Sequence, residues 1–536
     1  MRVPWFSKRK KCRRMNNVYA QVQAFYDEAP HLTPLSQECV DGFLRQLAWQ
    51  GKNAAELMEQ WQNVRRLLLY MMFADIVFFE DLRAVQISLA VEWLAVQEEE
   101  FKLKLSFVRP FLNTLRDLAD YLEGKKYIDG APGVREAAQR MVEGGRLHLL
   151  ELPAVGFAEA KGLDIVEVVR RNQQQFGLAE TAQRVADLLE RAYTRMSGYF
   201  QNTVFQEDIN RAVFLYGGES MLAPEEGPQR DAFWTSFWDF FLFDYHLLRN
   251  DRQPIRHFLT HNEANLSAEE AALLEDMAQS QFTVFYVQRV LDAETVECID
   301  LLRGTAFNMP MPGFGLDWKG FLFLGHVRTG AASMANYVCH FTSYETSRAL
   351  QRRIQTEVHR MQVWFSCQSG AGSMDDFLCR HAAAVRQLVM QMAHGERFQV
   401  LPELVEHEKP PVAAETEELS PVVEIVKEVA PVFGLSHYDV QMLETMWRHY
   451  CAVQGRPRFR RPESWGGALL LAYGGINDLD HIQAGIASDF LDVSHTLLKK
   501  NYEQLCRSLE LTAYDVRYLN EQGLVSVVSG EAWEQD

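Results

Sequence analysis

Apolar positions recur at three- and four-residue steps along most of the chain, the spacing that lines one face of an α-helix. Between residues 32 and 125 this pattern is unbroken. Trp61, Val64, Leu68, Met71 and Met72 build one stripe, with Thr33 and Ser36 as candidate N-caps and Glu38 close behind. The acidic run at 98–100 reads as a solvated helix face, and Asp129, Gly130, Ala131, Pro132 and Gly133 as a turn. Helices are expected again at 134–143, 163–175 and 179–200.

The centre changes character. Residues 233–245 hold aromatic or apolar side chains nearly all round a helix, which predicts burial rather than an amphipathic surface position. Ser267 and Glu270 form a capping box that opens a helix to about 280. Short β-rich pieces follow at 282–290, 296–301, 320–327 and 337–342, punctuated by Gly304, Pro310, Pro312, Gly313, Gly315 and Gly330. They predict a small antiparallel barrel or sheet. Helices at 344–365 and 374–392 come next, then a C-terminal set at 421–433, 438–453, 462–473, 482–490 and 495–509.

At 536 residues the chain exceeds one core, so several domains are expected. The fold class is mainly α and multidomain. It comprises a basic tail at 1–14, a helical region at 15–215 and an aromatic-rich α+β domain at 225–400. An acidic, Pro-bearing linker at 403–421 then tethers a helical, helix-turn-helix-like domain at 422–536.

The formal net charge of −18 speaks against wholesale coating of nucleic acid, though a local basic face is compatible with it. Seven of the first fourteen residues are basic and none is acidic; such a run is ordinarily a solvated tail, and Met15 offers an alternative start. No apolar stretch follows it as a secretory signal would require, and none elsewhere approaches the roughly 18 apolar residues of a membrane span. The eight cysteines are scattered without a C-x-x-C pair, as expected of reduced thiols. These features imply a soluble, cytoplasmic chain with no membrane partner.

Gln483, Ile486, Ala487, Phe490, Val493, Ser494, Thr496, Leu497, Tyr502 and Leu505 are spaced as in a helix-turn-helix. Ala487 is small enough for two helices to cross closely. Ile486, Phe490, Val493 and Leu497 are expected to fill their shared core, and Ser494 or Thr496 to cap the second helix. With Trp465, Gly466, Gly467 and Ala468 upstream, the segment is similar to the cyclin-like repeat of transcription factor IIB, except that Leu491 stands where that family usually has Gly. The resemblance implies nucleic-acid contact. Its candidate residues are His495, Lys499 and Lys500 on the second helix and Arg456, Arg458, Arg460 and Arg461 in the preceding loop, with Arg507 further along.

Two further resemblances rest on pattern. Phe237, Phe240, Phe243, Asp244 and Tyr245, then 282–287, then Asp300, Leu301, Leu302, Arg303 and Gly304 resemble a segment of uncharacterised bacterial proteins that often carry a Cys-rich SEC-C zinc motif; that motif is absent here. The first hundred residues loosely resemble the core-binding domain of tyrosine recombinases. His246 and Arg249 match the H-x-x-R of the same enzymes, and Gly325, His326 and Tyr337 resemble their final box. Yet the preceding Arg box is missing, some eighty residues separate Arg249 from His326, and the final box falls on predicted strands.

No phosphate-binding Gly-rich loop, zinc-peptidase motif or nucleophile elbow is present. Cys379 and His381 have no partner cluster at zinc spacing. No catalytic, metal or cofactor constellation is legible. The reading is a non-enzymatic regulator or adaptor whose C-terminal domain contacts DNA or RNA. A protein-interaction scaffold and an enzyme with an unfamiliar site stay open as alternatives.

Overall fold

The computed structural model describes residues 17–28, 34–150, 155–156, 179–217, 228–292, 295–310, 321–327, 334–340, 344–369, 372–394, 397–401, 420–455 and 461–529. The chain is mainly helical, with one small antiparallel sheet at its centre. It divides into two compact units, one of Met1–Pro153 with His394–Val400 and one of Ala154–Ala393 with Leu401–Asp536.

The first unit holds α1 (Val18–Glu28), α2 (Gln37–Trp49), α3 (Ala54–Phe73), α4 (Ala84–Gln97), α5 (Leu105–Gly124) and α6 (Pro132–Arg140). Local chemistry sets several of the helix starts. The Ser36 side chain accepts the Cys39 N–H, as its spacing predicts, and Asn53 and Glu56 close a capping box on α3. Trp61, Val64, Leu68 and Met71 are buried in one core with Phe43, Leu94, Phe111 and Leu118. Strand β1 (His148–Leu150) pairs antiparallel with β8 (Arg397–Gln399), the strand by which the chain returns to this unit.

Some expectations for the N-terminal part of the chain change or fall outside the described residues. Pro132 and Gly133 open α6 rather than ending a turn; a Cβ at Gly133 would lie 2.0 Å from the Leu82 carbonyl oxygen, so packing selects that glycine. Helix α4 ends at Gln97, and Glu98 beyond it binds Arg66 at 2.8 Å instead of facing solvent on a helix. Thr33, the tail 1–14 and the expected helix at 163–175 lie outside the described residues.

The second unit begins with β2 (Val155–Gly156), α7 (Ala179–Phe200), α8 (Gln206–Gly217), α9 (Pro228–Phe243), α10 (Pro254–Asn262) and α11 (Ala268–Met277). Phe237, Phe240, Phe241, Leu242 and Phe243 of α9 are buried, as their encircling pattern requires. The strands β3 (Gln281–Val290), β4 (Thr295–Asp300), β5 (Ala306–Pro310), β6 (Phe321–Val327) and β7 (Met334–His340) complete a six-stranded antiparallel sheet. Its order is β2-β7-β6-β3-β4-β5, with β2 and β5 at its edges, so among the described residues it is an open sheet.

Phe285 on β3 faces Phe323 on β6 in register, with the rings stacked at 5.1 Å. The 300–304 segment is a corner built by its own side chains. Asp300 Oδ1 accepts the N–H groups of Leu302 and Arg303, and Gly304 takes φ 71°. Helices α12 (Tyr344–Ser369) and α13 (Met374–His394) follow.

The C-terminal helices are α14 (Pro421–Val429), α15 (His437–Gln454), α16 (Glu463–Ile476), α17 (Ala484–Phe490), α18 (His495–Leu509) and α19 (Glu521–Ser529). They share a compact unit with the central sheet and helices, where the sequence suggests a separately tethered domain after an acidic linker. Residues 402–419, most of that linker, lie outside the described ones. Helix α16 runs through the middle of the set, with eleven of its residues buried. Its glycines permit this: a Cβ at Gly467 would meet Leu498 of α18 at 2.8 Å, and one at Gly466 would meet Ile425 of α14 at 3.0 Å.

Candidate functional site

The two helices singled out by sequence, α17 and α18, are joined by residues 491–494. The left-handed residue of this corner is Asp492 (φ 48°), one position after Leu491. Ala487, Val493, Leu498 and Leu505 are buried behind it, and Asn501 donates to the Ser464 hydroxyl at 2.9 Å to fix α18 on α16.

Of the four residues expected in the shared core, one is buried. Val493 is buried, but Ile486 and Phe490 are each 50% exposed and Leu497 39%. The reason is the partner of α17 and α18. Gly467 lets Leu491 and Leu498 pack directly on α16, so the buried faces turn toward α16 and carry the other apolar positions outward. The ring of Phe490 meets that of Phe433 at 5.8 Å edge-on, and Val432, next to Phe433 in the chain, is 61% exposed. Neither Ser494 nor any other side chain caps α18 at its N-cap position.

His495, Lys499 and Lys500 are exposed on α18, and so is Arg507 in its last turn. Arg461 is exposed as well, but its guanidinium donates to the Asp492 carbonyl at 2.6 Å and lies 3.9 Å from the Asp492 carboxylate. Arg456, Arg458 and Arg460 lie outside the described residues. From Gln483 to Glu510 the cations are Lys499, Lys500 and Arg507 and the anions Asp489, Asp492, Glu503 and Glu510, three against four. The corner carries no net positive charge.

A buried polar network that no spacing suggested holds the C-terminal helices in place. Glu521, at the first position of α19, accepts Arg211 Nη2 at 3.0 Å and Arg380 Nη1 at 2.9 Å. Burial opposes its charge, yet the two guanidinium groups outweigh that and hold its carboxyl far below the usual range. Arg380 also grips Asp251 through both terminal nitrogens and lies over the Tyr438 ring at 4.5 Å. Gln368 at the end of α12 donates to the carbonyls of Val516 and Leu519.

The recombinase-like residues do not converge. His326 Nε2 binds Asp244 Oδ1 at 2.8 Å within the core, where Arg386 Nη2 reaches Oδ2 at 2.8 Å. Arg249 lines a cavity of about 400 Å³ with Tyr199, Asn250 and His257. The side chain of Tyr337 lies outside the description. His246 instead meets Cys379, its Nε2 3.8 Å from the thiol, a pairing across 133 residues that sequence spacing could not disclose.

Among the described residues no group of three or more His, Cys, Asp or Glu is placed to hold a metal ion. No helix among them is long and apolar enough to cross a membrane. Comparison of the chain with models of known families, with curated proteins and with solved structures gave no match.

Proposed function

We propose that this protein is an adaptor that holds a partner protein at the α17–α18 corner. One observation carries the reading: Ile486, Phe490 and Leu497 are large apolar side chains left in water at a corner whose backbone is otherwise well packed. Ile486 and Phe490 are four residues apart on a helix and share a face, and Val432 extends that surface beside Phe433. Scattered single apolar residues on a surface are ordinary, but a cluster at one corner marks an interaction surface. Lys499, Lys500 and His495 then form a polar rim, which suits a partner segment with apolar anchors and acidic flanks.

Exposed His495, Lys499 and Lys500 on the second helix favour nucleic acid as the second reading, in line with the likeness to the cyclin-like repeat. Against it stands the charge count, since phosphate contact draws its affinity from excess Lys and Arg.

One experiment separates the two. A photo-crosslinking amino acid replaces Leu497 in the full chain, and the protein's binding to mixed duplex DNA and to single-stranded RNA is followed at about 50 mM salt. The adaptor reading expects a discrete, nuclease-resistant protein adduct that Phe490→Asp abolishes, with no nucleic-acid binding. Salt-sensitive nucleic-acid binding, lost on changing Lys499 and Lys500 to Glu and indifferent to Phe490→Asp, overturns it.

A further inference from the structure

The second unit contains a cleft of about 500 Å³ with a thiol in its wall. Cys379 stands on the second turn of α13, two residues before His381, where the helix is broken by a non-helical backbone (φ −117°, ψ 24°). Among the described cysteines it is the exposed one. His246 lines the same cleft, with 8% of its surface exposed and its Nε2 3.8 Å from the sulfur. The imidazole also hydrogen-bonds the Asp244 backbone. With Nδ1 as the N–H donor of that bond, Nε2 is left as an acceptor toward the thiol. Nucleophile, base and orienting group thus follow the order that activated thiols use.

Charge in the cleft is distributed unevenly. Three of its carboxylates are paired with arginines, Asp244 with Arg386, Asp251 with Arg380 and Asp375 with Arg303, while Asp376 accepts from the neutral Ser373 hydroxyl and N–H. Two guanidinium groups have no carboxylate partner among the described residues. Arg256 donates to the neutral oxygens of Gln253 and Ala278, and the exposed Arg252 guanidinium has no acceptor among the described residues. Arg252 and Arg256 thus bring two exposed guanidinium groups to the wall of the cleft that also holds the thiol.

We infer that this cleft is a reaction site distinct from the C-terminal corner, in which Cys379 attacks a carbon electrophile bearing an anionic group. His246 takes the thiol proton and Arg252 holds the anion. The S–C bond forms as the bond from that carbon to its leaving group breaks. The leaving group departs with the electron pair, and the proton passes from Sγ to Nε2.

The surroundings suit proton transfer during attack rather than a standing ion pair. Crowding by protein atoms pushes the Cys379 thiol above its ordinary value, Arg380 drawing it down and Asp244, Asp251 and Asp376 adding to the rise. Burial pushes His246 down, Arg380 adding to this while Asp251 and Glu521 oppose it; the buried His381 faces the same cluster. Both partners are neutral at pH 7, with the base free to accept.

The full-length protein is treated with iodoacetamide or iodoacetate, and alkylation of each cysteine is followed by peptide mass spectrometry. Cys379 is expected to react fastest. Its ratio of iodoacetate to iodoacetamide rates is expected to exceed that of Cys506 by about tenfold or more. Arg252→Gln, a change at an exposed side chain, brings the ratio to that of Cys506. His246→Gln slows both reagents about tenfold or more at pH 7, and the deficit shrinks as pH rises and the thiol ionises without help. A Cys379 that reacts no faster than Cys506, or a rate at pH 7 indifferent to His246→Gln, overturns the nucleophile; an unchanged ratio in Arg252→Gln overturns the anion site.

Discussion

Arg380 and Glu521 meet at 2.9 Å although 141 residues separate them, and both are buried or nearly so. With Arg211 on the other carboxylate oxygen and Asp251 on the other side of Arg380, four charges alternate along one line. Such a chain is costly to desolvate and more costly to break, because any survivor is left buried without compensation. It fixes where the last helix sits.

Glu521→Gln is therefore expected to lower stability by about 3–5 kcal/mol, read as a fall in the urea midpoint with unchanged slope. The paired change Arg380→Met with Glu521→Leu is expected to cost clearly less than the sum of the two single changes. The carboxyl of Glu521 is depressed in the folded chain. Its contribution is present above the unfolded value of about 4.3 and is lost as pH falls toward the lower folded one, so Glu521→Gln should flatten the acid limb of the stability curve.

Helices were legible wherever the apolar period was long, as at 179–200 and 495–509, which match α7 (Ala179–Phe200) and α18 (His495–Leu509). Helix α19 was not, because Val525, Val527 and Val528 favour strands when read locally. Its burial, and the Asn520 side chain accepting the Gly523 N–H at 2.9 Å, override that preference. At the corner, the sequence showed which positions are apolar but not which would be buried. That choice depends on Gly467 and α16, some twenty to thirty residues away. The Cys379–His246 pair was illegible for a stronger reason, since only the folded chain brings the two together.

One buried and one half-buried histidine predict a second acid sensitivity. Burial lowers His381 to about 4, and burial with Arg517 lowers His449, whose Nδ1 meets the Tyr518 hydroxyl at 2.8 Å, to about 4 as well. An unfolded histidine titrates near 6.5, so between roughly pH 6.5 and 4 the unfolded chain holds a proton the folded chain lacks. Stability then falls as pH falls through that window and levels off below it. For His381, which is 1% exposed, the loss is about 2 kcal/mol at pH 5. His381→Asn is expected to reduce the difference between urea midpoints at pH 7 and pH 5; an unaltered difference counts against a neutral buried imidazole.

Gly467→Ala tests how tightly α16 and α18 are packed. The added methyl would lie 2.8 Å from Leu498 Cδ1 and 3.1 Å from Leu491 Cδ1, closer than van der Waals contact allows. Helix propensity alone favours alanine by about 1 kcal/mol. Overpacking is expected to outweigh it and give a net loss of about 1–2 kcal/mol, seen as a lower thermal midpoint. Gly475, with nothing within 4 Å of a Cβ, is the control, and Gly475→Ala should stabilise.

The corner itself makes the last prediction. Ile486, Phe490 and Leu497 are about half exposed, so exchanging them for serine removes apolar surface from water in the folded chain and little from its core. Ile486→Ser and Leu497→Ser should each change stability by no more than about 0.5 kcal/mol. Phe490→Ser should cost slightly more, because it forfeits the edge-on contact with Phe433 at 5.8 Å. The triple variant should bind less of an apolar fluorescent dye than the parent at equal concentration and melt within a few degrees of it. A large loss of stability would mean that these side chains are buried in solution. The corner would then have the closed core first expected of it, and no surface to offer a partner.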